Sequence, residues 1–112
     1  VLARERLTEV IGGSPEANTV LGRELARIFL EDAERRVAEL SRGDLAEPRR
    51  TRQLAHALKG AASNFGAERL AFLAERAEAA SELGGAKLAA AVSPLAQSLA
   101  DVRGALAELG WV

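Results

Sequence analysis

Apolar residues recur along this chain at steps of three and four, the period of a helix with one buried face. The clearest run comes last. Leu88, Val92, Leu95, Leu99, Val102, Leu106 and Leu109 step by 4, 3, 4, 3, 4 and 3 residues. They predict a helix over about 86–109, which Pro94 kinks or divides, because proline lacks the amide donor and its ring collides with the preceding turn. Leu21, Leu25, Ile28, Phe29, Val37 and Leu40 predict a long helix over about 15–41. Ser14 is its N-cap, Pro15 stands in its first turn and Gly43 stops it. A third run starts near Asp44 and continues to about Asn64; Asp44 and Glu47 have capping-box spacing, and Pro48 falls in the first turn. Gly66 permits a tight reversal. A helix over about 67–83 follows, with Leu70, Leu73, Ala77 and Ala80 inward and Gly84-Gly85 at its end. Leu7, Val10 and Ile11 give residues 2–11 the face of one short extra helix. Short connections make neighbours antiparallel. The expected fold is all-α: an up-down antiparallel four-helix bundle with a short additional N-terminal helix. It forms a single domain over 1–112, its bundle core at about 14–109.

Composition sharpens this picture. With 112 residues, 48% of them hydrophobic but only 4% aromatic, the core must be built from Leu, Val, Ile and Ala. A net charge of −1 and few aromatics argue against a nucleic-acid partner. No apolar run approaches the roughly 20 residues needed to cross a bilayer, and no signal-peptide pattern is present. No membrane association is therefore expected, and the absence of Cys suits a reducing cytoplasm. With one His, no Cys and no Met, the ligand sets of metal or haem bundles cannot be assembled.

That one histidine lies on the wrong side for a core residue. At about 100° per residue, Leu54, Leu58, Ala61, Ala62 and Phe65 gather in the buried sector, and His56 points roughly opposite. It shares its exposed face with Arg49, Arg52, Gln53, Lys59, Gly60 and Ser63. Lys59 at i+3 brings an ammonium beside the imidazole, suited to stabilising negative charge there. Gly60 costs about 1 kcal/mol relative to Ala in mid-helix, a cost that makes sense where another surface approaches the backbone. Ser63 extends the small-residue patch. Taken singly, an exposed His or Lys is most often an ordinary surface residue; the combination is less ordinary than its parts.

Counting outward from a reversal at residue 66 or 67 brings residues near 77 level with His56. Glu75 and Glu78 bracket that level. Glu78, on the flank of its helix, is placed to accept from one ring nitrogen, fixing the tautomer and leaving the other nitrogen as nucleophile. The competing reading pairs these acids with Arg69 or Arg76 as surface ion pairs of little energetic weight.

The run from Ala55 to Ala67, with His56-Ala57-Leu58-Lys59-Gly60 at its head and Gly66-Ala67, Leu70 and Leu73 after it, resembles the signature of the histidine-containing phosphotransfer (HPt) domain family. Phe29 and the Gly43-Asp44 turn fit the same layout, and the resemblance covers about residues 14–109. Ala57 and Ala61 depart from it, standing where Thr and Ser are common. The resemblance implies a helical bundle with His56 as phosphoryl acceptor and Lys59 supporting the phosphoryl group. It also implies that Gly60 lets a receiver domain dock closely and that Glu78 stands where relatives carry a Gln or Glu bonded to the histidine.

The implied chemistry is relay of a phosphoryl group to or from the aspartate of a response-regulator receiver domain, upstream of which stands a sensor or hybrid histidine kinase. Docking would involve Arg49, Arg52, Gln53, Gly60 and Ser63, with Arg49, Arg50 and Arg52 steering towards an acidic partner. No phosphate loop, nucleotide motif or acidic Mg²⁺ cluster is evident, so no ATP use and no cofactor of its own are expected; Mg²⁺ would be supplied at the receiver's site. The alternative is a non-catalytic interaction or dimerisation bundle in which His56 is idle and Trp111 caps one end or joins a contact.

Overall fold

The computed structural model describes residues 15–42 and 47–111, with side chains from residue 20 onward. The predicted N-terminal helix, the Ser14 cap, Gly43 and Asp44 lie outside the described residues. Five helices follow one another: α1 (Pro15–Ser41), α2 (Pro48–Phe65), α3 (Glu68–Ala80), α4 (Gly85–Val92) and α5 (Leu95–Glu108). No strand occurs among the described residues.

Each boundary has a local cause. Helix α2 begins at Pro48, later than the start near Asp44 that the capping-box spacing suggested. The residue before a proline is pushed out of the helical region. Glu47 is accordingly extended (φ −109°, ψ 101°) and makes no side-chain cap. Gly66 ends α2 in the left-handed region at φ 92° and donates to the Ala62 carbonyl at 3.0 Å, while Ala67 donates to the same oxygen at 2.8 Å. This tight closure sends the chain straight back as α3. Helix α3 stops at Ala80, earlier than the predicted 83, and a turn over residues 81–83 leads to Gly84, whose φ of 61° suits a residue without Cβ. Pro94 divides the last predicted helix into α4 and α5.

The core runs the length of the molecule. Leu54, Leu58, Ala62 and Phe65 of α2 meet Leu70, Leu73, Ala77 and Ala80 of α3. Leu88, Val92, Leu95, Leu99, Val102 and Leu106 are all buried, as their spacing predicted, and Leu109 is half-buried. In α1 the buried stripe is Ala26, Phe29, Leu30, Ala33, Val37 and Leu40. Leu21 and Ile28, expected inward, are exposed. The stripe is phased by alanines that pack against neighbouring helices, and Ile28 lies two residues, or about 200°, from Leu30. Phe29 stacks on Phe65, the last residue of α2, with ring centroids 4.5 Å apart. Leu21 thus lies beyond the end of α2, out of its reach.

Three ties fix directions. Arg50 of α2 donates to Glu39 of α1 at 2.9 and 3.2 Å, which together with the Phe29–Phe65 stack makes α1 and α2 antiparallel. Arg50 holds the Glu39 carboxyl below its ordinary range through that hydrogen bond. The tie therefore contributes above the ordinary carboxylate range and is lost as pH falls through the lowered value. Between that tie and the stack along α1, Arg103 of α5 pairs with Glu34. The Trp111 ring lies against Gly22, where an added Cβ would come within 2.8 Å of it. Trp111 thus packs on the end of the bundle.

Candidate functional site

His56 sits at mid-helix in α2, its side chain 70% exposed, on the face opposite Leu58. Its Nδ1 lies 2.8 Å from Oε2 of Glu78, whose side chain is only 24% exposed in the seam between α2 and α3. Glu78 is carried there by α3, which buries Ala74, Ala77 and Ala80 and so sets the acid on the flank facing α2. An ionised carboxylate only accepts, so Nδ1–H donates to Glu78, and in the neutral ring the lone pair is then on Nε2. Glu78 belongs to a well-held stretch, since the Ser81 hydroxyl donates to its carbonyl at 2.7 Å. The acid thus orients an exposed ring.

The neighbours fall into a regular pattern. Lys59 Nζ lies 3.3 Å from Glu75 Oε1. Arg52 Nη1 lies 4.0 Å from Glu82 Oε1, and Arg52, Gln53, His56 and Glu78 line a shallow cleft of about 300 Å³. Arg49, Gly60 and Ser63 are exposed on the same helix. Arg50 is turned to α1 by Glu39, away from this group. Arg76, a candidate partner for the acids, lies instead over the Phe72 ring at 5.9 Å. Glu82 is not singled out by sequence reasoning. The signal is present, because Glu82 stands one turn past Glu78 as Arg52 stands one turn before His56.

Gly60 has no neighbour that needs it. A Cβ built there meets nothing within 4 Å. Nothing within the described residues therefore requires glycine, and Gly60→Ala should raise unfolding stability by up to about 1 kcal/mol from helix propensity alone, as measured by urea denaturation.

A larger concavity than the His56 cleft lies elsewhere. A groove of about 900 Å³ between α1 and α2 is lined chiefly by Leu25, Ile28, Phe29, Ala61, Asn64 and Phe65. None of the groups around His56 lines it. Among the described residues no three His, Asp or Glu side chains gather as a metal-binding group, and no helix is long and apolar enough to cross a membrane.

No curated protein and no solved structure matches the chain. A family model described as the Hpt domain matches residues 24–109, from within α1 to the end of α5. Proteins of that family carry out histidine phosphotransfer in two-component phosphorelays, where they interact with receiver and kinase domains. With most of its length matched, and with an exposed histidine on a helical bundle, this chain belongs to the Hpt domain family.

Proposed function

We propose that His56 accepts a phosphoryl group from, or returns it to, the aspartate of a response-regulator receiver domain, within a relay that a sensor or hybrid histidine kinase feeds. The observation that carries this reading is the 2.8 Å contact from His56 Nδ1 to the half-buried Glu78, which leaves Nε2 exposed. The Nε2 lone pair attacks phosphorus in line. The bond from phosphorus to the aspartyl oxygen breaks, and the aspartate leaves as a carboxylate. The ring becomes a phosphoimidazolium whose Nδ1–H still rests on Glu78, so the new positive charge is met where it forms. Such transfer depends on positioning and charge stabilisation. Lys59 supplies a cation one turn from the ring, and Mg²⁺ belongs to the receiver's site. Arg49, Arg52, Gln53, Gly60 and Ser63 form the docking face, on which the bare Gly60 backbone lets the partner approach.

The test is transfer from a phosphorylated receiver in the presence of Mg²⁺. An acid-labile, base-stable label that peptide mapping places on His56 is the expected result. A folded domain that takes no label from any of several receivers of its own organism would instead favour a non-catalytic interaction bundle with an idle His56. Two variants refine the reading. Glu78→Ala should slow transfer by about tenfold or more, the weight of one charge-assisted hydrogen bond of at least about 1.5 kcal/mol, with Glu78→Gln recovering part of it because an amide oxygen also accepts from Nδ1. Gly60→Ala, although more stable, should weaken receiver binding in a titration, because its methyl projects into the interface.

A further inference from the structure

The three contacts between the His56 face of α2 and α3 keep one register. Going back along α2 from Lys59 to His56 to Arg52 takes steps of three and four residues; going forward along α3 and its following turn from Glu75 to Glu78 to Glu82 takes the same steps. The outcome is a ladder of three carboxylates facing Lys59, His56 and Arg52, with the His56–Glu78 rung in the middle. Successive rungs are about one helical turn apart, about 5.4 Å. Only the middle acid touches the ring. The outer two hold the cations on either side of it.

We propose that Glu75 and Glu82 restrain phosphorylation of His56 by occupying Lys59 and Arg52, the cations that flank the ring; this rests on His56 being the phosphoryl acceptor. With the ring unmodified, each cation has a carboxylate within 3.3 or 4.0 Å. A phosphoryl group on Nε2 brings fresh negative charge between them. Lys59 and Arg52 serve it only by leaving their carboxylates, and the released acids then stand within one Debye length of the phosphoryl group at moderate salt. Competition and repulsion act in the same direction, so each acid makes the phosphorylated state harder to reach. Both outer pairs are largely exposed, so the effect is modest: about two- to threefold per acid, the scale of a unit charge some 8 to 10 Å away in a water-like medium. Glu75 carries the larger share, since its partner is nearer and less exposed than Arg52.

The experiment uses phosphoramidate as donor, so that no receiver is needed. The Nε2 lone pair forms the new bond to phosphorus, the phosphorus–nitrogen bond of the donor breaks and ammonia leaves. Phosphohistidine is followed by ³¹P NMR for the wild type, Glu75→Gln, Glu82→Gln, the double variant and Glu31→Gln, an acid paired with Arg27 on α1. Circular dichroism verifies that each is folded. The expected result is a two- to threefold faster rate for Glu75→Gln, a smaller gain for Glu82→Gln, multiplication of the two in the double variant and no change for Glu31→Gln. The gains should disappear in 1 M salt, where the Debye length is about 3 Å. If the wild type is phosphorylated at His56 while Glu75→Gln and Glu82→Gln match it or are slower, the ladder does not restrain the ring and the inference fails alone. If the wild type takes no phosphoryl group at His56, the proposed function fails and the inference with it.

Discussion

His56→Gln should abolish phosphoryl acceptance while leaving the bundle as stable as before. The loss is expected to be complete within detection because an amide nitrogen has no basic lone pair to offer phosphorus, and the chain holds no second histidine. The stability should hold because the His56 side chain is 70% exposed and contributes nothing to the buried stripe of α2. Exposed substitutions away from caps and strained backbone usually change stability by no more than about 0.5 kcal/mol. The two readouts are a receiver-transfer assay and a thermal melt. An acid-labile label below background, with a midpoint within about 3 °C of wild type, is the expected pair. Label retained on the variant would remove His56 from the role, and a large fall in midpoint would make the histidine part of the packing rather than of the chemistry.

That separation of roles is legible in the sequence, because it depends on one helix and one angle. On α2 the large residues Leu54, Leu58 and Phe65 mark the buried side without ambiguity, so the opposite placement of His56 follows from helix geometry alone. Glu78 comes within reach by the same means, since Gly66 makes a reversal too short to leave the register of α3 open. On α1 the same arithmetic goes astray. Leu21 and Ile28 draw the expected stripe towards large residues, whereas the buried side follows Ala26, Leu30 and Ala33. Alanine is a weak marker of burial in a chain where it also fills exposed helical positions. Its role in the core comes from how closely helices approach, which no single segment encodes. The start of α2 is misplaced for a different reason: the capping-box spacing of Asp44 and Glu47 competes with the restriction that Pro48 places on the residue before it, and the steric rule prevails. The outer rungs are half visible. Lys59 and Glu75 each stand out in the sequence for their nearness to His56, yet their pairing, and the matching pair of Arg52 with Glu82, emerge only when two helices are set side by side.

The complementary substitution on the same helix is Leu58→Ala, and it should do the reverse of His56→Gln. Leu58 is fully buried and among the largest fully buried side chains of the bundle. Truncating a buried leucine removes its transfer free energy and leaves a cavity that its surroundings fill only in part, at a cost of about 2–5 kcal/mol. A value of about 3 kcal/mol is a reasonable expectation here, because the core that holds Leu58 is rich in alanines, which have no alternative rotamers to swing into a gap. Against a total of about 5–15 kcal/mol for a domain, that is a large fraction. For a domain of this size it should lower the thermal midpoint by about 10–20 °C. Urea denaturation should show the midpoint concentration falling with the slope unchanged, the sign of lost stability rather than of an altered unfolded state. Phosphoryl transfer at low temperature should survive, because the His56–Glu78 contact lies on the far side of α2 and Ala77 and Ala80 keep α3 in place beside it. Should transfer vanish while the domain is still folded, the orientation of the imidazole would depend on the packing beneath α2 and not only on the carboxylate beside it. The pair of substitutions therefore tests whether one helix carries two separable functions, holding the bundle together on one face and presenting a nucleophile on the other.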